Sequence, residues 1–312
     1  MNIFKKNGFL SGLWIFFIFF IIFLIGNIVV GFYFYDLALY HEFFDILIPC
    51  LIYLVFTKKP IIPTLRLNKS ISKKSCLIIF QLFLVSFLLK IGINYLVLLT
   101  GTIDPSAVTT QVAEMVPSLF VFFISVAVIP VFLEEIAIRG VVLDKFRDTS
   151  LWQSAVVTGV LFGIMHVDLG QFGYATALGI IMGGIVIATG SLWGGIFFHF
   201  LNNFFTFLMI SIIDGISKLI PENYMNEFLQ SSDSIEYVVE QNNMEIWYGL
   251  LFAIISLILG IYLTIYYVEK LKKINNYEEK RTEIKWAELF INVPFILIII
   301  FYISINIILR IY

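Results

Sequence analysis

The feature that most restricts this chain is the length of its charge-free runs. Residues 169–213 contain no Asp, Glu, Lys or Arg, and neither do residues 8–35. A helix needs about 20 mainly apolar residues to cross a bilayer, where hydrocarbon offers backbone polar groups no partner. The first run has room for two such helices and the second for one. Across the 312 residues, 60% are apolar and 13% are charged, against about 25% charged in a soluble domain. The chain is therefore expected to be an all-α polytopic membrane protein.

Nine apolar segments qualify as candidate spans: residues 9–34, 37–56, 75–99, 117–142, 151–167, two within 169–213, then 246–268 and 289–309. The expectation is 8–9 transmembrane helices. Segment 37–56 is the weakest, with His41, Glu42 and Asp45 near its start. The turn that divides 169–213 is expected at TGSLWGG, residues 189–195, where Gly and Ser break the pattern. Residues 8–35 follow a basic N-terminus but exceed the apolar core of a signal peptide and show no small-residue cleavage site, so a retained first span is expected. Cys50 and Cys76 lack CxxC spacing and imply neither a disulfide framework nor a cysteine metal site.

With the N-terminus in the cytoplasm, all but three of the 20 Lys and Arg residues fall on the cytoplasmic side. Lys218 and Arg310 fall outside, and Lys90 falls within a span. This asymmetry follows the positive-inside rule and supports both the count and the orientation; the expected location is the plasma membrane. The expected organisation is a three-span region at 1–116, a four-span core at 117–213, an acidic extracytoplasmic loop at 214–245 and a two-span region at 246–312. Lys90 is expected to snorkel or to pair with Asp104 or Glu114. The basic run 69–74 is expected to meet anionic lipid headgroups. No basic pattern suggests nucleic acid as a partner.

The fourth span carries VFLEEIAIRG, residues 131–140, which places two carboxylates and an arginine where they are costly. On a helix, Glu135 and Arg139 share a face and form an ion pair. Glu134 points about 100° away and is expected as a carboxylate without a local cation, facing a cavity. His166 closes FGIMH in the fifth span. His199 opens HFLNN in the seventh, with Asn203 on its face and Asn202 nearby. If the fourth helix runs on to Arg147, Glu134 and His166 each lie roughly 20 Å from the basic ends of their helices, and His199 and Asn203 roughly 12 and 18 Å. The four groups can then meet at one depth, with Gly179, Gly183, Gly184, Gly194 and Gly195 allowing the helices to approach.

Such a cluster suits hydrolysis. Glu134 can take a proton from water, His166 can hold that water, and His199 with the Asn203 amide can stabilise an oxyanion. A Zn²⁺ held by Glu134, His166 and His199 is the other option, although HExxH is absent. A non-catalytic immunity or partner-binding protein would keep the same scaffold without needing Glu134. A transporter often has internal repeats, and none is visible.

EEIAIR, FGIMH and HFLNN, with TGSLW before the third, resemble the EExxxR, FxxxH and HxxxN motifs of the CPBP family, the Abi or type II CAAX prenyl protease-like intramembrane proteases. The resemblance implies a multi-helix intramembrane peptidase, with Glu134 activating water and His166 working with it. It gives His199 and Asn203 the oxyanion or a metal site, and has Arg139 orient Glu134 and Glu135. The family's eukaryotic branch acts on prenylated proteins. Its bacterial members are linked to bacteriocin or pheromone maturation and self-immunity. The Ile, Asn, Lys and Phe bias of this chain points to a bacterial member acting on a membrane-embedded peptide or protein.

Overall fold

In the computed structural model, residues 8–33, 43–100, 118–217, 243–279 and 284–311 are described. They form nine apolar helices and no strand. We label them α1 (Gly8–Tyr33), α2 (Ile48–Thr57, led in by a π-helical turn at Phe43–Leu47), α3 (Lys73–Leu98) and α4 (Leu119–Phe146). There follow α5 (Leu151–Met165), α6 (Leu169–Thr189), α7 (Leu192–Ser217), α8 (Asn243–Ile274) and α9 (Val293–Ile311). His41, Glu42, Asp104, Glu114, Lys218 and most of the expected acidic loop lie outside the described residues.

Six of these helices are long and apolar enough to cross a membrane. The apolar stretches Phe44–Thr57, Leu151–Met165 and Val293–Ile308 are shorter, and together with the six long helices they make up the expected polytopic helical bundle. Helix α5 shows how a short one is accommodated. Its 15 residues rise only about 22 Å, less than the hydrocarbon thickness of roughly 30 Å. Almost all its side chains are buried in protein, so lipid does not set its length.

Local sequence sets the ends. Ser150 caps α5 and forms a capping box with Gln153. Asp168 caps α6 by accepting from Gln171 N–H at 2.7 Å. That helix stops at Gly190, whose φ of 67° is the left-handed conformation that glycine adopts without strain. Successive helices run in opposite directions. Lys59 after α2 pairs with Asp144 at the end of α4. Leu151 at the start of α5 donates to Glu279 beyond α8 at 2.8 Å. Ser191 before α7 donates to the Lys69 carbonyl. All these contacts gather at one end of the bundle, which carries most of the described Lys and Arg; we call it the basic end.

The tightest pairing is α5 against α6. A Cβ on Gly179 would sit 2.8 Å from the Cα of Gly159, so the two backbones touch directly, as small residues permit in membranes. Around this pair, α4 and α7 close one side and α3 with α8 another, while α1 packs on the basic end of α4 and on α9. Leu251, Phe252, Ile258 and Tyr262 of α8 are exposed, as befits a helix facing lipid.

Candidate active site

Helix α4 is not regular. It passes from α-helix into a π-helical turn at Ile124–Val128, back to α-helix at Ile129–Glu134, and into a second π-helical stretch at Glu135–Val142. Pro130 accounts for the first break. It has no N–H for the carbonyl four residues earlier and its ring crowds that carbonyl. The carbonyl is that of Val126, and it accepts from Asn203 Nδ2 of α7 at 3.0 Å. The second break spans the EExxxR motif, and such interruptions recur at functional sites.

The Glu135–Arg139 pair expected from the spacing is present. Arg139 Nη1 lies 2.8 Å from Glu135 Oε1, and both side chains are 0% exposed. Arg139 Nη2 donates to the Gly179 carbonyl at 3.2 Å, where α6 has been brought in against α5. The guanidinium also lies 4.4 Å from the centroid of the Phe162 ring, a cation–π geometry. Glu135 Oε2 rests against α7 at Gly195, where any Cβ would come within 2.5 Å of it.

The expectation for Glu134 needs correction. It is not isolated, because a cation-capable group reaches it from another helix. His199 Nε2 lies 3.7 Å from Glu134 Oε2, while His199 Nδ1 lies 3.2 Å from Glu135 Oε1. The imidazole stands between the two adjacent carboxylates and offers one ring nitrogen to each. The roughly 100° between neighbouring Cβ directions is bridged by a ring whose nitrogens diverge. Glu134 keeps 12% of its side chain exposed and Glu135 none.

His166 and Asn203 sit at the margins of this cluster. His166 ends α5 and its Nδ1 lies 2.9 Å from the Phe162 carbonyl, so Nδ1 donates there and, in the neutral ring, Nε2 carries the lone pair. It joins the others through Phe162, whose ring meets the imidazoles of His166 and His199 edge-on at 4.8 and 5.5 Å. Asn203 faces Val126, with one amide proton committed there. Its neighbour Asn202 is buried and accepts from Ser86 of α3 at 3.3 Å. Among the described residues no acidic group pairs with Lys90, whose ammonium lies 5.6 Å over the Phe87 ring of its own helix.

The match of residues 116–205 to the family model described as Rce1-like, type II CAAX prenyl endopeptidase, covers this whole constellation. The likeness is carried by these residues, less than a third of the chain. A relative from Bacillus subtilis, "Putative membrane peptidase YdiL", is 26% identical over 102 residues, which are 32% of this chain and 42% of that protein. The chain thus matches less than half of that relative's length. No solved structure matches.

The arrangement of these side chains does not fit a metal. Among the described residues no three His, Cys, Asp or Glu side chains converge as ligands. Both nitrogens of His199 face carboxylates and Glu135 is engaged by Arg139. The expected trio of Glu134, His166 and His199 therefore does not form a coordination shell. Two contributors escaped the sequence reading. Phe162 was legible only as the first letter of a motif, yet it joins Arg139, His166 and His199. Pro130 was legible as a helix breaker, and it creates the acceptor that Asn203 uses.

Proposed function

We propose that this chain is an intramembrane peptidase that hydrolyses peptide bonds with Glu134 as the water-activating carboxylate. The observation that carries the reading is the position of His199 between two unequal carboxylates. Arg139 and Gly195 fix Glu135, which fixes His199 Nδ1. Glu134 retains access and faces the other ring nitrogen. A buried carboxylate beside a positioned imidazole forms a general-base arrangement.

In the proposed reaction, water adds to the substrate carbonyl carbon as Glu134 removes its proton. His166 Nε2 accepts a hydrogen bond from that water. The second amide proton of Asn203 supports the oxyanion. Collapse breaks the C–N bond, and the proton passes from Glu134, with His199 beside it, to the leaving amine. No step is routed through a metal. The substrate is a membrane-embedded peptide or protein of the kind met in bacteriocin or pheromone maturation. The protein resides in the plasma membrane with its N-terminus and basic end in the cytoplasm.

The test compares wild type with Glu134→Gln in detergent, using a membrane-peptide library and mass spectrometry. Wild type should yield defined cleavage products. Glu134→Gln, nearly isosteric, should unfold at a similar temperature and yield none. Equal cleavage by both proteins would remove Glu134 from the mechanism, and no cleavage by either would favour a non-catalytic immunity protein.

A further inference from the structure

The loop between α2 and α3 carries a cation that hydrolysis does not use. Its backbone is firmly held. Leu192 N–H at the start of α7 donates to the Arg66 carbonyl at 3.1 Å and Trp193 Nε1 to the Leu67 carbonyl at 3.3 Å. Leu65 fits against Gly140 of α4, where a Cβ would lie 2.5 Å from its Cδ2. Arg66 itself adopts a φ of 55°, a left-handed conformation that is uncommon for a residue with a long side chain. The loop thereby carries the guanidinium inward. Its Nη1 is shielded and has no hydrogen-bond partner among the described residues.

The neighbouring charges do not satisfy it. Asp144 is the acid that lowers the charge here, and both its oxygens are engaged. Oδ1 pairs with Arg147 Nε at 2.5 Å and Oδ2 with Lys59. Three cations around one carboxylate leave the cluster positive. Burial first, and Arg147 second, push the Arg66 guanidinium down to about 10, so it stays charged at neutral pH. A buried guanidinium with an unused donor calls for an anion.

The surroundings indicate which anion. Ile61 and Ile62, in the short helix Ile61–Thr64 of the same loop, are exposed, as are Val55 and Phe56 in the last turn of α2. Exposed apolar side chains beside a row of cations mark the level where acyl chains meet headgroups. We infer that Arg66, with Arg147 at its rim, binds the phosphate of an anionic phospholipid whose acyl chains run over Ile61 and Ile62. The guanidinium fork matches phosphate oxygens. Because the loop is bonded to the start of α7, occupancy would also brace the helix that carries His199. The inference is independent of the peptidase reading.

The test uses the full chain in a neutral detergent, titrated with phosphatidylglycerol and, in parallel, with phosphatidylcholine and with inorganic phosphate, reading the thermal unfolding midpoint. Phosphatidylglycerol should raise the midpoint saturably, and the other two at the same concentrations should not. Arg66→Gln and Arg147→Gln should each raise the half-saturating concentration about tenfold, the loss expected for a charge-assisted hydrogen bond. An identical phosphatidylglycerol response in wild type and both variants would overturn the inference. Inorganic phosphate reproducing the shift would overturn the lipid assignment in favour of a free-phosphate site. If Arg66→Gln does not fold, Arg147→Gln at the exposed rim decides the matter alone, and an unchanged half-saturation there overturns the inference.

Discussion

Helix α4 carries one ion cluster at Glu135 and Arg139 and another at Asp144 and Arg147. In the first, both partners are 0% exposed and the arginine is held on three sides, by a carboxylate, a carbonyl and an aromatic ring. In the second, Asp144 is 3% exposed but Arg147 is 48% and Lys59 35%. The residue types are alike, but their surroundings are not. Water can replace a lost partner at the basic end, whereas nothing can in the bundle interior. The inner cluster therefore acts as a fixed part of the site and the outer one as an adjustable edge.

The comparison is broken most severely at Arg139. Arg139→Met should cost about 3–5 kcal/mol, the range for removing one partner of a buried pair, because Glu135 is left without its cation. Denaturant unfolding in detergent measures this. Arg139→Lys should recover only part of the loss, because an ammonium cannot reach Glu135 and the Gly179 carbonyl while stacking on Phe162. Full recovery by lysine would show that charge alone matters here. Next comes Gly195→Ala, whose Cβ would occupy the space of Glu135 Oε2. Overpacking of this kind costs roughly 1–3 kcal/mol. It should also reduce cleavage by more than the stability loss explains, since moving Glu135 moves His199. Unchanged turnover in a folded Gly195→Ala protein would uncouple Glu135 from the site.

These two residues also show what the sequence could convey. The Glu135–Arg139 pair was legible because it is local, and spacing along one helix decides it. The break at residues 189–195 was legible because Gly190 acts through its own backbone, and the caps at Ser150 and Asp168 act just as locally, through their side chains. The placement of His199 between both carboxylates was not legible. It depends on the distance between α4 and α7, which Gly195 sets through a contact far away in sequence. Arg66 was read as one basic residue among many, because no periodicity foretells a left-handed residue in a loop. That α5 is buried in protein was also hidden, since apolar content does not distinguish burial in protein from burial in lipid.

A smaller effect is expected at Asn203. Asn203→Ala should cost about 1 kcal/mol, the net worth of an ordinary hydrogen bond, because the Val126 carbonyl loses its donor. Pro130→Ala supplies a backbone N–H to the same helix. In the double variant the Asn203 loss should shrink, and the coupling read from a double-mutant cycle should be near that 1 kcal/mol. Strict additivity would mean that Pro130 and Asn203 act independently and that the kink in α4 has another cause.

The smallest effect sharpens the original contrast. Lys59→Met removes one of two cations on Asp144, the other being Arg147. Exposed pairs contribute about 0–1 kcal/mol, so the loss should be within that range. It should also fade as salt rises, because the Debye length falls from about 10 Å at 0.1 M to about 3 Å at 1 M. The Arg139→Met loss should stay nearly constant over the same series, since ions do not enter the bundle interior. Stability measured for both variants at low and high salt tests whether exposure separates the two clusters. Parallel salt dependence would mean that water reaches Arg139, and the site would then be an open cavity rather than a fixed part of the bundle.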